Sequence, residues 1–199
     1  MQMIVLLIAL LSAIQYIPYF LSIARGQTRP SVSGWSCFAL SLAVTIAASV
    51  QTGSFSILIS TGLSLLCQFA IIVIGLRMGV AQKPSRHEQI ILAAVVASIL
   101  IWLVAGSPRT AILINLAVDV LGTALILKKL HAMPRTEAPV TWLLGSLGSA
   151  LAAWHFRQPF DINALYLLTI FLSNLGVLLM IGWQHWARTR HARDMGMPR

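Results

Sequence analysis

Apolar residues fall in long runs, separated by short stretches that, with the ends of the runs, hold all the charge except Asp119 and all the proline except Pro18. The runs predict helices over 2–24, 34–51, 54–79, 89–106, 109–130, 140–157 and 161–186. Runs of roughly 18–25 residues suffice to cross a hydrocarbon core about 30 Å thick. Only helices or a closed barrel satisfy the backbone there, and a barrel strand needs just about 9–11 residues. The breaks have local causes. "RGQTRPSVSG", "AQKPSRHE" and "MPRTEAP" combine charge with proline or glycine, while "GSPR" at 106–109 and "RQPFD" at 157–161 are tighter turns.

Composition sharpens this into a class. Of 199 residues, 58% are apolar and 10% charged, against about 25% charged in a soluble domain. The chain is expected to be an all-α membrane protein with seven transmembrane helices. Its opening, "MQMIVLLIALLSAI", lacks a basic leader segment and is expected to stay as the first span. The net charge of +9 sits in short loops and a tail without an aromatic-basic platform, so the expected partner is the lipid bilayer and not nucleic acid. Twelve basic residues follow the first, third, fifth and seventh spans, while Arg109 and Arg157 alone lie in the other loops. The positive-inside rule then places the N-terminus outside and the C-terminus in the cytoplasm. The compact chain, with no extracellular domain of the glycosylated kind, suggests a bacterial inner membrane.

The pattern also repeats. Trp35 and Trp142 each open a span after a proline-containing loop. Gln15 with Pro18 aligns with Asp119 and Gly122, and Gln68 aligns with Asn174, at offsets of 104 to 107 residues. This predicts a three-helix unit over 1–80, a linker helix over 81–107, a second three-helix unit over 108–187 and a basic tail over 188–199. Three helices alone would invert the second copy, and the linker restores its orientation, giving two parallel three-helix bundles in a 3+1+3 layout.

This layout, with its outside N-terminus and its basic, proline-containing loops, resembles the SWEET and PQ-loop superfamily of small-solute membrane transporters. Pro18 stands where that family has a proline–glutamine pair, with Tyr19 in place of the glutamine, and "RPSVSGWS" resembles the segment before its second helix. The second copy has Gly122 where proline is expected. The resemblance implies alternating access, with Pro18 and Gly122 as hinges, since proline removes a helix bond and glycine loosens the backbone. A static kink is the other reading of Pro18. The resemblance also makes Trp154 the counterpart of a tryptophan that frames the substrate, although a packing role fits its position as well.

Polar residues inside spans carry the candidate chemistry, because lipid offers them no partner. Gln15 and Tyr19 share a stripe on the first helix, and Ser64 and Gln68 lie one turn apart on the third. Asn115, Asp119 and Gly122 share a face of the fifth, and Ser173 and Asn174 are adjacent on the seventh. Facing one another, these would line a substrate pathway; singly, such groups also serve as helix–helix contacts worth about 0.6–2 kcal/mol. Asp119 is the one carboxylate deep in a span, where a charge costs roughly 2.5–3.5 kcal/mol. It is expected to exchange a proton, to touch substrate, or to be held neutral by a hydrogen bond.

Trp35, Trp142, Trp102, Trp183 and Trp186 read as interfacial anchors. Cys37 and Cys67 read as small core residues. The five histidines form no ligand-spaced cluster, so no metal and no cofactor is expected. A second deep acid or a nucleophile–base pair is missing from the pattern, so an enzyme is not expected. The expected function is transport of a small polar solute, proton-coupled if Asp119 titrates in the cycle. The alternative is a non-transporting receptor or assembly protein of the same fold. Either allows a homo-oligomer.

Overall fold

The structure, a computed structural model, describes residues 2–51, 55–155 and 162–194. The turn predicted at 157–161, the short break at 52–53 and the last five residues of the tail lie outside the described residues. The remainder is helical: α1 (Gln2–Ile14), α2 (Tyr16–Ala24), α3 (Val32–Gln51), α4 (Phe55–Arg77), α5 (Arg86–Ala105), α6 (Pro108–Ala132), α7 (Pro139–His155) and α8 (Ile162–Asp194). With α1 and α2 taken as one broken rod, these are the seven predicted runs. Four are long and apolar enough to cross a membrane: Met3–Ala24, Arg86–Val104, Thr110–Ala132 and Ala164–Arg190.

The break at Gln15 follows from Pro18. Proline has no N–H for the carbonyl four residues back, here Ile14, and its ring crowds that carbonyl. The rod is interrupted one residue later, and the Gln15 amide bonds the Ser12 carbonyl at 3.0 Å. The turn between α5 and α6 is equally local. Gly106 takes the left-handed conformation that ends α5, Ser107 caps α6 through the Thr110 N–H, and Pro108 occupies its first turn. At the start of α5, Ser85 and Glu88 form a reciprocal capping box.

The bundle has polar groups inside and apolar faces outside. Leu6, Leu66, Phe69, Ile101, Val104 and Leu172 are all more than half exposed, while Gln68, Asn115, Asp119, Lys129 and Glu137 are buried. In water a bundle arranges these classes the other way round, so the distribution is compatible with an integral membrane protein.

In the packing, α4 lies against both α1 and α3, and α8 lies against both α6 and α7. Between these groups, α3 packs on α6 and α1 packs on α7, while α5 attaches to α3 and α6. The α3–α6 contact is close because Gly122 faces Phe38: a Cβ at Gly122 would stand 2.9 Å from the Phe38 ring. Gly122 lies inside an unbroken α6, and this contact accounts for its missing side chain. Gly122→Ala is expected to destabilise the protein by about 1–3 kcal/mol through overpacking. Adding Phe38→Leu should recover part of that loss, as thermal unfolding in detergent would show.

Candidate functional site

At one end of the bundle the basic loops are laced together. The Arg29 N–H donates to the Thr136 carbonyl at 3.0 Å, and the Gln82 N–H donates to the Pro30 carbonyl at 2.8 Å. The Val32 N–H returns to the Gln82 carbonyl at 3.2 Å. The loop after α2 is thus held between those after α4 and α6.

An aromatic and ion-paired layer lies beneath. Trp35 and Trp142 face each other with ring centroids 6.1 Å apart, and both are buried. The Trp35 indole N–H donates to the Tyr19 hydroxyl at 2.8 Å, and that of Trp142 to Glu137 Oε2 at 3.0 Å. Lys129 forms an ion pair with Glu137 and also donates to the carbonyls of Arg29 at 2.7 Å and Thr136 at 3.3 Å. An ammonium has three protons to give, and all three have acceptors. Burial of this pair is tolerable only because both charges are hydrogen-bonded on every side. The expectation that Trp35 and Trp142 are interfacial anchors is corrected here. Each stands at the equivalent point of its helix, and the two meet in the centre of the bundle. Trp102 is also buried, against Val44 and Ala111, whereas Trp183 and Trp186 are exposed.

Above this layer is a polar seam. Asp119 on α6 is buried, and Ser41 on α3 donates to its Oδ2 at 3.1 Å. The Tyr166 hydroxyl of α8 lies 3.4 Å from Ser41 Oγ. One turn before Asp119, the Asn115 amide donates to Thr45 at 2.9 Å, and Thr45 bonds back to the Ser41 carbonyl. Among the described residues Asn115 Oδ1 is buried without a partner. On α4, the Gln68 amide donates to the Tyr16 hydroxyl at 3.2 Å, and Gln68 Oε1 is likewise without a partner.

Gln15 and Asn174 converge on α7. A Cβ at Gly145 would stand 2.6 Å from Gln15 Oε1 and 2.8 Å from Asn174 Oδ1, so the glycine makes room for both amides. The nitrogen end of each is taken up within its own helix, Gln15 by the Ser12 carbonyl and Asn174 by Ile170. Their oxygens crowd the same point.

Of the sequence candidates, Gln15 and Asn174 are brought together over Gly145, Ser64 and Gln68 stay one turn apart on α4, and Asn115 and Asp119 share one cluster. Tyr19 belongs to the layer below, fully buried between Trp35 and Glu137. Ser173 is partly buried on α8. Trp154 is 66% exposed on the surface of α7, a position outside the seam, so a framing role has no support in this arrangement. Ser41, Thr45, Tyr16, Tyr166 and the Lys129–Glu137 pair were not singled out from sequence. Ser41 and Thr45 sit one turn apart in the second span, a spacing that could have revealed them; Lys129 read only as one loop charge among twelve. Among the described residues no group of three or more potential metal ligands occurs.

Compared with family profiles, with characterised proteins and with solved structures, the chain has no match in any of the three.

Proposed function

We propose that this chain is a membrane carrier that moves a small polar solute by alternating access, built as two parallel three-helix units joined by α5. The basic end faces the cytoplasm and is the closed end of the pathway. The observation that carries this reading is the polar seam of buried Gln68, Asn115 and Asp119 with half-buried Gln15 and Asn174, enclosed by helices whose outer faces are apolar. Lipid gives such groups no partner, and two of their carbonyl oxygens lack one among the described residues. A hydroxyl- or amine-bearing solute would supply the donors they need.

Packing supports the duplication. Exchanging α1, α3 and α4 for α6, α7 and α8 turns the α3–α6 contact into α7–α1, the α3–α4 contact into α7–α8, and the α1–α4 contact into α6–α8. Two like units about an axis along the membrane normal have this property, and such carriers hold substrate where the units meet. The closing layer also fits the cycle. Lys129, ion-paired with Glu137 in the second unit, donates to the Arg29 carbonyl of the first, so opening toward the cytoplasm requires that tether to release. Pro18 has already interrupted the rod carrying Tyr16 and Tyr19, which gives that rod a place to bend.

Reconstitution into liposomes with a panel of radiolabelled sugars, amino acids and vitamin-like solutes tests the function. At least one solute is expected to show saturable, protein-dependent uptake that competing unlabelled solute suppresses. Silence across the whole panel, with correctly oriented and folded protein, would overturn the carrier reading in favour of a receptor or assembly role.

A further inference from the structure

The outer surface carries a second feature that transport does not use. Where α7 begins and α8 leaves the bundle, an open groove of about 710 Å³ is lined by Pro139, Leu178, Leu179, Gly182, Trp183 and Trp186. Its size falls in the range of small-ligand sites, about 300–1,000 Å³. A side chain at Gly182 would meet nothing within 4 Å, so the groove is open along its length there.

Helix length sets the depth of the groove. The 33 residues of α8 extend about 50 Å at about 1.5 Å per residue, well beyond the hydrocarbon core of about 30 Å. The last turns therefore leave the apolar layer, and they carry Trp183 and Trp186, both more than half exposed, followed by Arg188 and Arg190. The Arg190 guanidinium lies 5.3 Å above the Trp186 ring, which holds that cation over the mouth of the groove. Among the described residues no carboxylate forms an ion pair with Arg188 or Arg190. Apolar floor, aromatic rim and the Arg190 cation thus follow one another along one helix face, with Arg188 at the same exit.

We propose that this groove binds one anionic glycerophospholipid of the cytoplasmic leaflet, its acyl chain along Leu178, Leu179 and Gly182 and its phosphate at Arg190, with Arg188 adding positive charge nearby. Charge complementarity selects the occupant: a zwitterionic headgroup presents its own cation to these arginines. The site adjoins the closing layer, because Leu178 and Ile181 pack against the buried aromatic cluster and Pro139 follows Glu137 by two residues. A lipid seated there braces the cytoplasmic closure.

The proposal rests on the membrane-spanning reading but not on transport. Protein purified in neutral detergent is titrated with phosphatidylglycerol or phosphatidylcholine while its unfolding midpoint is followed. At about a hundredfold excess over Kd, phosphatidylglycerol is expected to raise the midpoint by about 5 °C or more, and phosphatidylcholine by much less. Gly182→Leu, which fills the groove, and the pair Arg188→Gln with Arg190→Gln are each expected to lose the shift. Native mass spectrometry of the same samples counts bound lipid directly, so a variant of altered stability still gives an answer. Equal response to the two lipids, or retention of full phosphatidylglycerol binding by either variant, would overturn the site. A chain that stays monodisperse without detergent would instead overturn the membrane reading beneath it.

Discussion

Lys129→Met is expected to destabilise the protein by about 3–5 kcal/mol, the range for leaving one member of a buried ion pair alone. Glu137 would then be a buried carboxylate that has lost its cation and keeps the Trp142 indole as a donor, and the carbonyls of Arg29 and Thr136 would lose their shared donor. The double variant Lys129→Met with Glu137→Gln should recover most of the loss. A neutral amide oxygen still accepts from Trp142, and no unpaired charge remains. Unfolding of wild type, both single variants and the double variant in the same detergent closes the cycle. If the double variant is as unstable as Lys129→Met alone, burial of an unpaired charge is not the cause. The double variant also removes the tether between the two halves without removing the aromatic layer. In reconstituted protein it should therefore favour the state open to the cytoplasm.

Asp119→Asn is expected to lower solute uptake about tenfold, a change of about 1.4 kcal/mol in the barrier, and to abolish its dependence on pH. Asparagine keeps the size of the side chain and an oxygen to accept from Ser41, so the local hydrogen bond survives. What it removes is the capacity to carry a proton. A purely structural Asp119 would leave the pH profile in place while changing stability, so measuring uptake against pH in wild type and variant separates the roles. Unchanged uptake with an unchanged pH profile would exclude proton coupling through this residue. Ser41→Ala supplies a control, since it takes away one donor to the carboxylate but leaves the carboxyl group itself.

These two experiments address residues that differed greatly in how visible they were. Asp119 was visible at once, because a carboxylate in an apolar run is costly wherever the run packs. Pro18 and the break beside it were visible for the same kind of local reason. Gln15 and Asn174 were visible as polar residues in spans, but not as a pair, since they lie on helices from opposite ends of the chain and meet only over Gly145. The Lys129–Glu137 pair was not visible, because a basic residue at a helix end ordinarily serves to orient the helix in the membrane. Trp35 and Trp142 were misread for a related reason. A tryptophan at a span boundary usually sits at the lipid interface, and nothing along one helix says that the equivalent boundary of another helix covers it.

Sequence alone determined the helices, their approximate ends and the excess of apolar surface, because length, hydropathy, proline and capping residues act within a few turns of where they stand. It also determined that a handful of polar groups would be stranded away from water. Tertiary structure alone decided which of those groups meet, which tryptophans are covered and which end of the bundle is laced shut. Those outcomes depend on helix rotation and on contacts between residues about a hundred positions apart, and a run of apolar residues buries equally well at many rotations. Gly122 against Phe38, Gly145 beneath two amides and Lys129 on the Arg29 carbonyl are the contacts that select one.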